Sequence, residues 1–123
     1  FRSLETGELV TELLVPAPPE GALQAYLKFT EREPVDFAVA SVAAVVPVAD
    51  GRCAGASIVL GGVAPFPYRA RAAEELLEGR ALDPETAKEA AGTALREARP
   101  FGMNRYKVTL AAEMVRRALK GDG

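Results

Sequence analysis

The stretch at residues 57–67, SIVLGGVAPFP, divides the chain into a strand-like half and a helical half. Before it the sequence is rich in β-branched residues, and after it alanine and other helix-forming residues dominate. A strand that ends in Gly61-Gly62 and is followed by Pro65 and Pro67 cannot continue a sheet ladder, because proline lacks the amide hydrogen. We therefore predict an exit from the sheet here. A phosphate-binding loop is not indicated, since neither GxGxxG nor GxxxxGK[ST] occurs in the chain.

Four strands are predicted before and at this division. They lie at 7–16, at 25–31 with Glu33-Pro34 as the stop, at 37–49 and at 53–64. Asp50-Gly51 predicts a type I′ hairpin between the last two, because that turn needs positive φ at both central residues. These two strands are apolar on both faces, so we place them centrally in an antiparallel sheet. A helical turn at the start of the alanine-rich segment 37–46 remains an open alternative.

Three helices are predicted after the division. The first lies at 68–78, with Gly79 as its C-cap. The second runs from the N-cap Asp83 to a break at 100–102. The third runs from the N-cap Asn104 to Lys120 and ends at Gly121. The small residues of the second helix should let it lie close to the sheet. Strands first and helices after predict an α+β fold, in which three helices cover one face of an antiparallel sheet of three to four strands.

Composition excludes several classes of function. The chain has 123 residues, 49% of them hydrophobic, which suits one domain, and its net charge of −2 argues against nucleic acid as a partner. No apolar run reaches the roughly 18 residues that span a membrane. With no histidine and one cysteine, Cys53, neither a zinc site nor histidine-based catalysis is expected. The start at Phe1, without an initiator methionine, leads us to expect a fragment of a longer subunit.

Residues that could carry chemistry are few, and we assign no catalytic residue and no metal ligand. We interpret the carboxylates in the predicted helices as residues on solvent-exposed faces, which form ion pairs with basic residues four positions away. If the helices cover the side of Leu27 and Phe29, then Val10, Tyr26 and Lys28 share the opposite surface of the sheet. Such a surface suits a flat, partly anionic ligand or another domain. An ordinary exposed sheet face with scattered apolar residues is the alternative.

Four segments, in this order, resemble a known family. They are GELV at 7–10 leading to Pro16, YLK at 26–28 leading to Asp36, LGGVAP at 60–65, and NRYKV at 104–108. Together they resemble the C-terminal domain of the FAD-binding subunit of molybdenum hydroxylases, a group that includes xanthine dehydrogenase and carbon monoxide dehydrogenase. The resemblance spans nearly the whole chain.

The resemblance implies a cytoplasmic FAD-dependent oxidoreductase with several parts. Two N-terminal domains of the same subunit hold most of the FAD. Electrons reach it from a molybdenum cofactor through 2Fe-2S clusters in partner subunits, and leave to NAD or another acceptor. The C-terminal domain closes over the flavin, and the residues matched by motif to the isoalloxazine contacts are Val10 and Lys28. A cation beside a flavin favours its reduced form, which implies a tuning role for Lys28.

The resemblance also implies details that differ in this chain. Arg32 and Asp36 match a polar loop that in some relatives lies near the flavin, whereas Pro34 and Val35 make the loop less charged here. The glycine-rich FAD-binding segments are missing, so the chain alone is not expected to hold FAD tightly. We therefore expect an accessory domain of a flavoprotein. The rival interpretation is a free-standing α+β interaction or ligand-binding module that dimerises through its open sheet face.

Overall fold

The computed structural model of the chain describes residues 4–32 and 35–121, and within these ranges the chain forms six strands and three helices. The strands are β1 (Leu23–Phe29), β2 (Ala40–Val46), β3 (Val48–Ala49), β4 (Arg52–Cys53), β5 (Ser57–Gly61) and β6 (Tyr68–Arg69). The helices are α1 (Arg71–Leu77), α2 (Pro84–Ala94) and α3 (Tyr106–Lys120). The predicted α+β fold class is confirmed.

The main sheet has the strand order β1-β2-β5-β6, and each neighbouring pair is antiparallel. As predicted, the two strands that are apolar on both faces, β2 and β5, are central. In the register, Lys28 of β1 lies opposite Ser41 of β2, which in turn lies opposite Gly61 of β5. These three residues therefore form one row across the sheet, and directly paired residues share a face.

One face of the main sheet forms the core with the helices. Alternate residues of β2 and β5 are buried on this face: Ala40, Val42, Ala44, Val46, Ile58 and Leu60. α3 packs on β1 and β2, and α1 packs on β5. The expectation that the alanine-rich second helix lies close to the sheet needs correction, because α2 packs mainly on α1 and α3. Its small side chains permit close contact between helices instead.

The hairpin at Asp50-Gly51 is confirmed, with φ of 51° and 76° at the two residues. The predicted strand 53–64 is divided, however, because Gly55 has a φ of 77° and interrupts it between β4 and β5. β4 pairs with β3 in a small separate sheet. The helical alternative is not adopted at 40–46, which is strand β2. Cys53 in β4 is a buried free thiol, and its burial raises the pKa of that thiol.

The predicted strand at 7–16 was wrong. The segment 4–22, here called the arm, contains neither helix nor strand, and Leu9, Leu13 and Val15 on it are each more than 80% exposed. A strand requires a neighbour that accepts its backbone hydrogen bonds, and an alternating pattern alone does not supply one. β1 also begins two residues earlier than predicted. Its predicted stop, Glu33-Pro34, lies outside the described residues.

Several helix boundaries differ from the prediction, including the end of α1, which is Leu77 with Glu78 as the C-cap. Tyr68 and Arg69 form β6 and α1 begins only at Arg71, because Tyr68-Arg69 pairs with the edge of β5. α2 begins as predicted: the Asp83 carboxylate accepts a hydrogen bond from the Thr86 amide at 2.7 Å, which holds the pKa of Asp83 below its ordinary value. α2 ends at Ala94, earlier than predicted. The predicted N-cap Asn104 was wrong, because α3 begins after Arg105, whose side chain makes no cap hydrogen bond.

The predicted exit at Gly61-Gly62 is confirmed. Gly61 is the last residue of β5, and Gly62 has a φ of 73°. A Cβ atom on Gly62 would lie 2.9 Å from the carbonyl oxygens of Ala38 and Val39. The backbone therefore turns away from the sheet at a point where a side chain has no room.

Among the described residues, no helix has the length and apolar character needed to cross a membrane.

Candidate functional site

The candidate site lies on the face of the main sheet opposite the helices, here called the open face. It is formed by the outward-facing residues of the first three strands in the sheet order: Gln24, Tyr26, Lys28, Ser41, Ala43, Val45, Ser57, Val59 and Gly61. Ser41, Ala43, Ser57 and Gly61 have a small side chain or none, so the central strands offer close access to their backbone. Tyr26 is 65% exposed and Lys28 is also exposed at the β1 edge. The predicted sharing of one face by Tyr26 and Lys28 is confirmed.

The row Lys28–Ser41–Gly61 gives the open face its polar end. A Cβ atom on Gly61 would lie 2.4 Å from the Ser41 Oγ atom, so the serine side chain uses the space that glycine leaves. A cation, a hydroxyl and a position without a side chain are thus adjacent across three strands. Sequence patterns alone missed Ser41. The signal that finds it is the strand register, which pairs it with Lys28.

The loop after β1 fixes the position of the lysine. Lys28 Nζ donates a hydrogen bond to the Asp36 carbonyl oxygen at 2.7 Å. Asp36 is held in turn by Arg32, whose Nε and Nη2 atoms donate to the two carboxylate oxygens at 3.2 and 3.3 Å. The Phe37 amide donates to the same carboxylate at 2.9 Å. The loop thus holds the Lys28 side chain at the edge of the sheet. The bond to Asp36 uses one of the three N–H donors of the Lys28 ammonium group.

The electrostatics of the loop follow from these contacts. Mainly the Arg32 guanidinium, and then the Phe37 amide, hold the pKa of Asp36 below its ordinary value. Asp36 therefore stays ionised near neutral pH and keeps Arg32 paired. Arg32 and Asp36, predicted as parts of a polar loop, are brought together with Lys28. Val35 is 91% exposed, and Pro34 of the same prediction lies outside the described residues.

The structure does not bring Val10 onto the open face. Val10 lies on the arm, outside the main sheet, and is 54% exposed. Its side chain is accessible to a partner surface, but the predicted grouping with Tyr26 and Lys28 on one sheet face was wrong. The physical reason is the missing strand at 7–16. Whether Val10 contacts a cofactor stays a prediction.

The arrangement suits binding and positioning. A planar molecule can lie on the small side chains of the open face, with an acceptor or anionic edge toward Lys28 and Ser41. Residues 4–32 and 35–121 contain no group of three or more histidine, cysteine, aspartate or glutamate side chains that could hold a metal ion. Among the described residues, the site supplies a cation held by the Asp36 carbonyl oxygen beside small side chains of the central strands.

Comparison with known proteins points to one family. A family model described as "CO dehydrogenase flavoprotein C-terminal domain" matches residues 25–121. The carbon monoxide dehydrogenase medium chain of Afipia carboxidovorans is 36% identical over 124 residues, covering 98% of this chain and 43% of that protein. The nicotine 6-hydroxylase medium subunit of Paenarthrobacter nicotinovorans is 33% identical over 126 residues, with the same two coverages.

Solved structures agree with the sequence comparison. Carbon monoxide dehydrogenase from Hydrogenophaga pseudoflava superimposes with a TM-score of 0.79 and 36% identity, covering 87% of this chain and 38% of that one. Quinoline 2-oxidoreductase from Pseudomonas putida superimposes with a TM-score of 0.74 and 27% identity, covering 81% of this chain and 36% of that one. The chain thus spans less than half the length of the relatives it matches.

Proposed function

The chain belongs to the CO dehydrogenase flavoprotein C-terminal domain family, and from this premise we propose that it packs over the flavin of a longer FAD-binding subunit in a molybdenum hydroxylase. The observation that carries the proposal is Lys28, a cation held by the Asp36 carbonyl oxygen and paired across the strands with Ser41. The function of the domain in this proposal is to cover the cofactor and to set its electrostatic surroundings.

The open face fits a planar cofactor on structural grounds. At Gly61 a side chain would collide with Ser41, and the adjacent residues Ala43 and Ser41 are small, so a ring system can approach the backbone closely. Lys28 would contact the polar edge of the ring system. The exposed phenol ring of Tyr26 would border it. FAD, when bound by the parent subunit, supplies the transfer of electrons between a donor and an acceptor.

Val10 is the second residue that we propose to contact the cofactor. Its support is the sequence motif together with the arm, which leaves Val10 accessible and pairs with no strand of the described chain. In the proposal, the preceding domains of the same subunit bind the arm and so fix Val10 relative to Lys28. The exposed leucines Leu9 and Leu13 would be buried by that contact.

The larger assembly is also part of the proposal. Relatives of this chain are named as medium chains or FAD-binding subunits of oxidoreductases. By extension, partner subunits with 2Fe-2S clusters and a molybdenum cofactor would deliver electrons to the flavin. The described chain would be the C-terminal part of its own subunit.

If the coding sequence upstream of Phe1 lacks flavin-binding domains, the rival proposal of a free-standing module replaces this one. The cytoplasmic location also stays a prediction, testable by cell fractionation.

Substitution of the lysine tests the proposed function. In the full-length FAD-containing subunit, Lys28→Met should lower the midpoint potential of the flavin, because the loss of a nearby cation disfavours the gain of negative charge. A shift on the order of 30 mV is expected, equivalent to about tenfold in the equilibrium constant of a two-electron couple. The measurement is a spectroscopic redox titration, with FAD content determined in parallel.

Two further variants control this experiment. Lys88→Met removes an exposed lysine on α2 and should leave the potential unchanged. Lys28→Arg keeps the charge and should keep the flavin potential close to that of the unmodified subunit. If Lys28→Met and Lys88→Met give the same potential, Lys28 does not tune the flavin and the proposed orientation of the open face is wrong.

A further inference from the structure

Asp36, in the loop after β1, contacts two cations in two different ways. Arg32 forms an ion pair with its carboxylate, with Nε and Nη2 at 3.2 and 3.3 Å from the two oxygens. Lys28 instead donates to the main-chain carbonyl oxygen of Asp36, at 2.7 Å. The arginine is therefore bound to a charged group, and the lysine is bound to a neutral one.

The Asp36 carboxylate is directed toward Arg32 and shielded from water. The side chain of Asp36 is 13% exposed, although that of Arg32 is 82% exposed. The guanidinium contacts both carboxylate oxygens, and the Phe37 amide donates to Oδ1 at 2.9 Å. A contact of a guanidinium with both oxygens fixes the orientation of a carboxylate, and it also neutralises the carboxylate's charge.

Lys28 consequently keeps its full positive charge. Within residues 4–32 and 35–121, none of the ion pairs includes Lys28. A carbonyl group carries a dipole but no net charge, so the bond to Asp36 positions the ammonium group without neutralising it. A cation paired with a carboxylate would present a dipole to a third group, and the field of a dipole falls off faster with distance than that of a charge.

The competing arrangement, in which Lys28 pairs with the carboxylate, is close to the observed one. The Arg32 guanidinium contributes most to the lowered pKa of Asp36, but Lys28 lies near enough to contribute as well. A lysine ammonium group sits on a flexible four-carbon stem. Rotation of that stem would move Nζ from the carbonyl oxygen toward the carboxylate if Arg32 did not hold it. Exposed ion pairs add little to stability, so the Arg32–Asp36 pair is not explained as a stabilising contact.

We propose that Arg32 is a positioning residue: by holding the Asp36 carboxylate, it prevents this carboxylate from neutralising Lys28. The full charge of Lys28 then acts on the flavin. This inference rests on the proposed function, which places the flavin against the open face beside Lys28. Arg32 and Asp36 act through Lys28 and need no contact with the flavin themselves.

Removal of the arginine tests the inference in the full-length FAD-containing subunit. Arg32→Met frees the Asp36 carboxylate to pair with Lys28, so the equilibrium constant for two-electron reduction of the flavin should fall about threefold to tenfold. This fall is equivalent to a potential about 15–30 mV lower. The double variant Arg32→Met/Asp36→Asn removes the competing carboxylate but keeps the carbonyl oxygen, so it should return the potential to that of the unmodified subunit. Spectroscopic redox titration at one fixed pH is the measurement.

A matched control and a second background complete the experiment. Arg80→Met removes an arginine from another exposed ion pair, with Glu89, and should leave the potential unchanged. In a subunit that already carries Lys28→Met, addition of Arg32→Met should cause no further fall, because the arginine acts through the lysine. A further fall would show that Arg32 acts on the flavin directly, and would overturn the inference. Glu31 and Glu33 are the same in all variants, so their charges cancel in the comparison.

The outcomes separate the inference from the proposed function. If Lys28→Met leaves the potential unchanged, the proposed position of the flavin is wrong. If Lys28→Met lowers the potential but Arg32→Met does not, the role of Arg32 alone is overturned. Recovery in the double variant contradicts a merely structural role, because a second substitution does not repair a damaged loop. A crystal structure of the Arg32→Met subunit should show Lys28 Nζ at the Asp36 carboxylate, and a lysine still bound to the carbonyl oxygen alone also overturns the inference.

Discussion

At the scale of single residues, Gly62 and Gly92 have opposite effects on the stability of the domain. Gly62 lies in the left-handed region beside two carbonyl oxygens, so its lack of a side chain is a structural requirement. Gly92 lies within α2, exposed, and a Cβ atom there would meet nothing within 4 Å. The same residue type is therefore required at one position and unfavourable at the other, since glycine lowers helix stability relative to alanine.

Alanine substitution at these two positions should change stability in opposite directions. Gly62→Ala should lower the free energy of unfolding by about 1–3 kcal/mol, because a non-glycine residue in this conformation is strained and its Cβ atom would meet backbone oxygens. Gly92→Ala should raise it by about 0.5–1 kcal/mol. Chemical denaturation of both variants is the measurement. A neutral Gly62→Ala variant would contradict the turn geometry described here.

At the scale of secondary-structure elements, one buried carboxylate joins three of them. Glu74 of α1 accepts a hydrogen bond from the Ile58 amide of β5 at 2.8 Å. Both of its carboxylate oxygens also accept from the Nε atom of Arg69 in β6, at 2.9 and 3.0 Å. The carboxylate raises the pKa of Arg69 above its ordinary value. α1 is short and lacks a side-chain N-cap, so this contact with the sheet helps to fix its position.

Removal of this carboxylate should destabilise the domain. Glu74→Ala leaves the buried Ile58 amide without its acceptor, and the expected loss is about 1–3 kcal/mol of unfolding free energy. Glu75→Ala, at the exposed neighbouring position, should change stability by less than about 0.5 kcal/mol. Thermal and urea denaturation compare the two. Equal effects would show that the contact between α1 and the sheet adds nothing to stability.

At the scale of the whole molecule, the chain divides into a packed domain and an arm that contains neither helix nor strand. The family match begins at residue 25, close to the start of β1, whereas matched relatives also align with the arm. The arm's apolar residues are exposed, and the core is built from the sheet and helices. In our proposal the arm belongs functionally to the contact with preceding domains of the parent subunit.

Deletion of the arm should therefore leave the domain folded. A chain that starts at Ala22 should unfold cooperatively, with a free energy within about 0.5 kcal/mol of that of the full chain, because the removed side chains are exposed. Circular dichroism during urea denaturation measures this. If the truncated chain loses its tertiary structure, the arm contributes to the core and its assignment to a contact with other domains is wrong.

Much of the fold could be predicted because local rules and tertiary packing agree. The hairpin at Asp50-Gly51, the N-cap at Asp83 and the exit at Gly61-Gly62 each depend on backbone preferences within a few residues, and all three are confirmed. The family resemblance is confirmed by the comparisons, and it identified Lys28 and Val10 as candidates.

The sequence by itself determined the class of the fold and the central strands, because apolar periodicity and turn chemistry are local properties of the chain. The family came from the resemblance of four ordered segments to known proteins. Tertiary structure alone decided two other matters: that the segment 7–16 lies outside the sheet, and that Ser41 and Gly61 join Lys28 in one row. Each depends on which distant backbone lies alongside. Strand pairing joins residues far apart in sequence, and no local pattern specifies those neighbours.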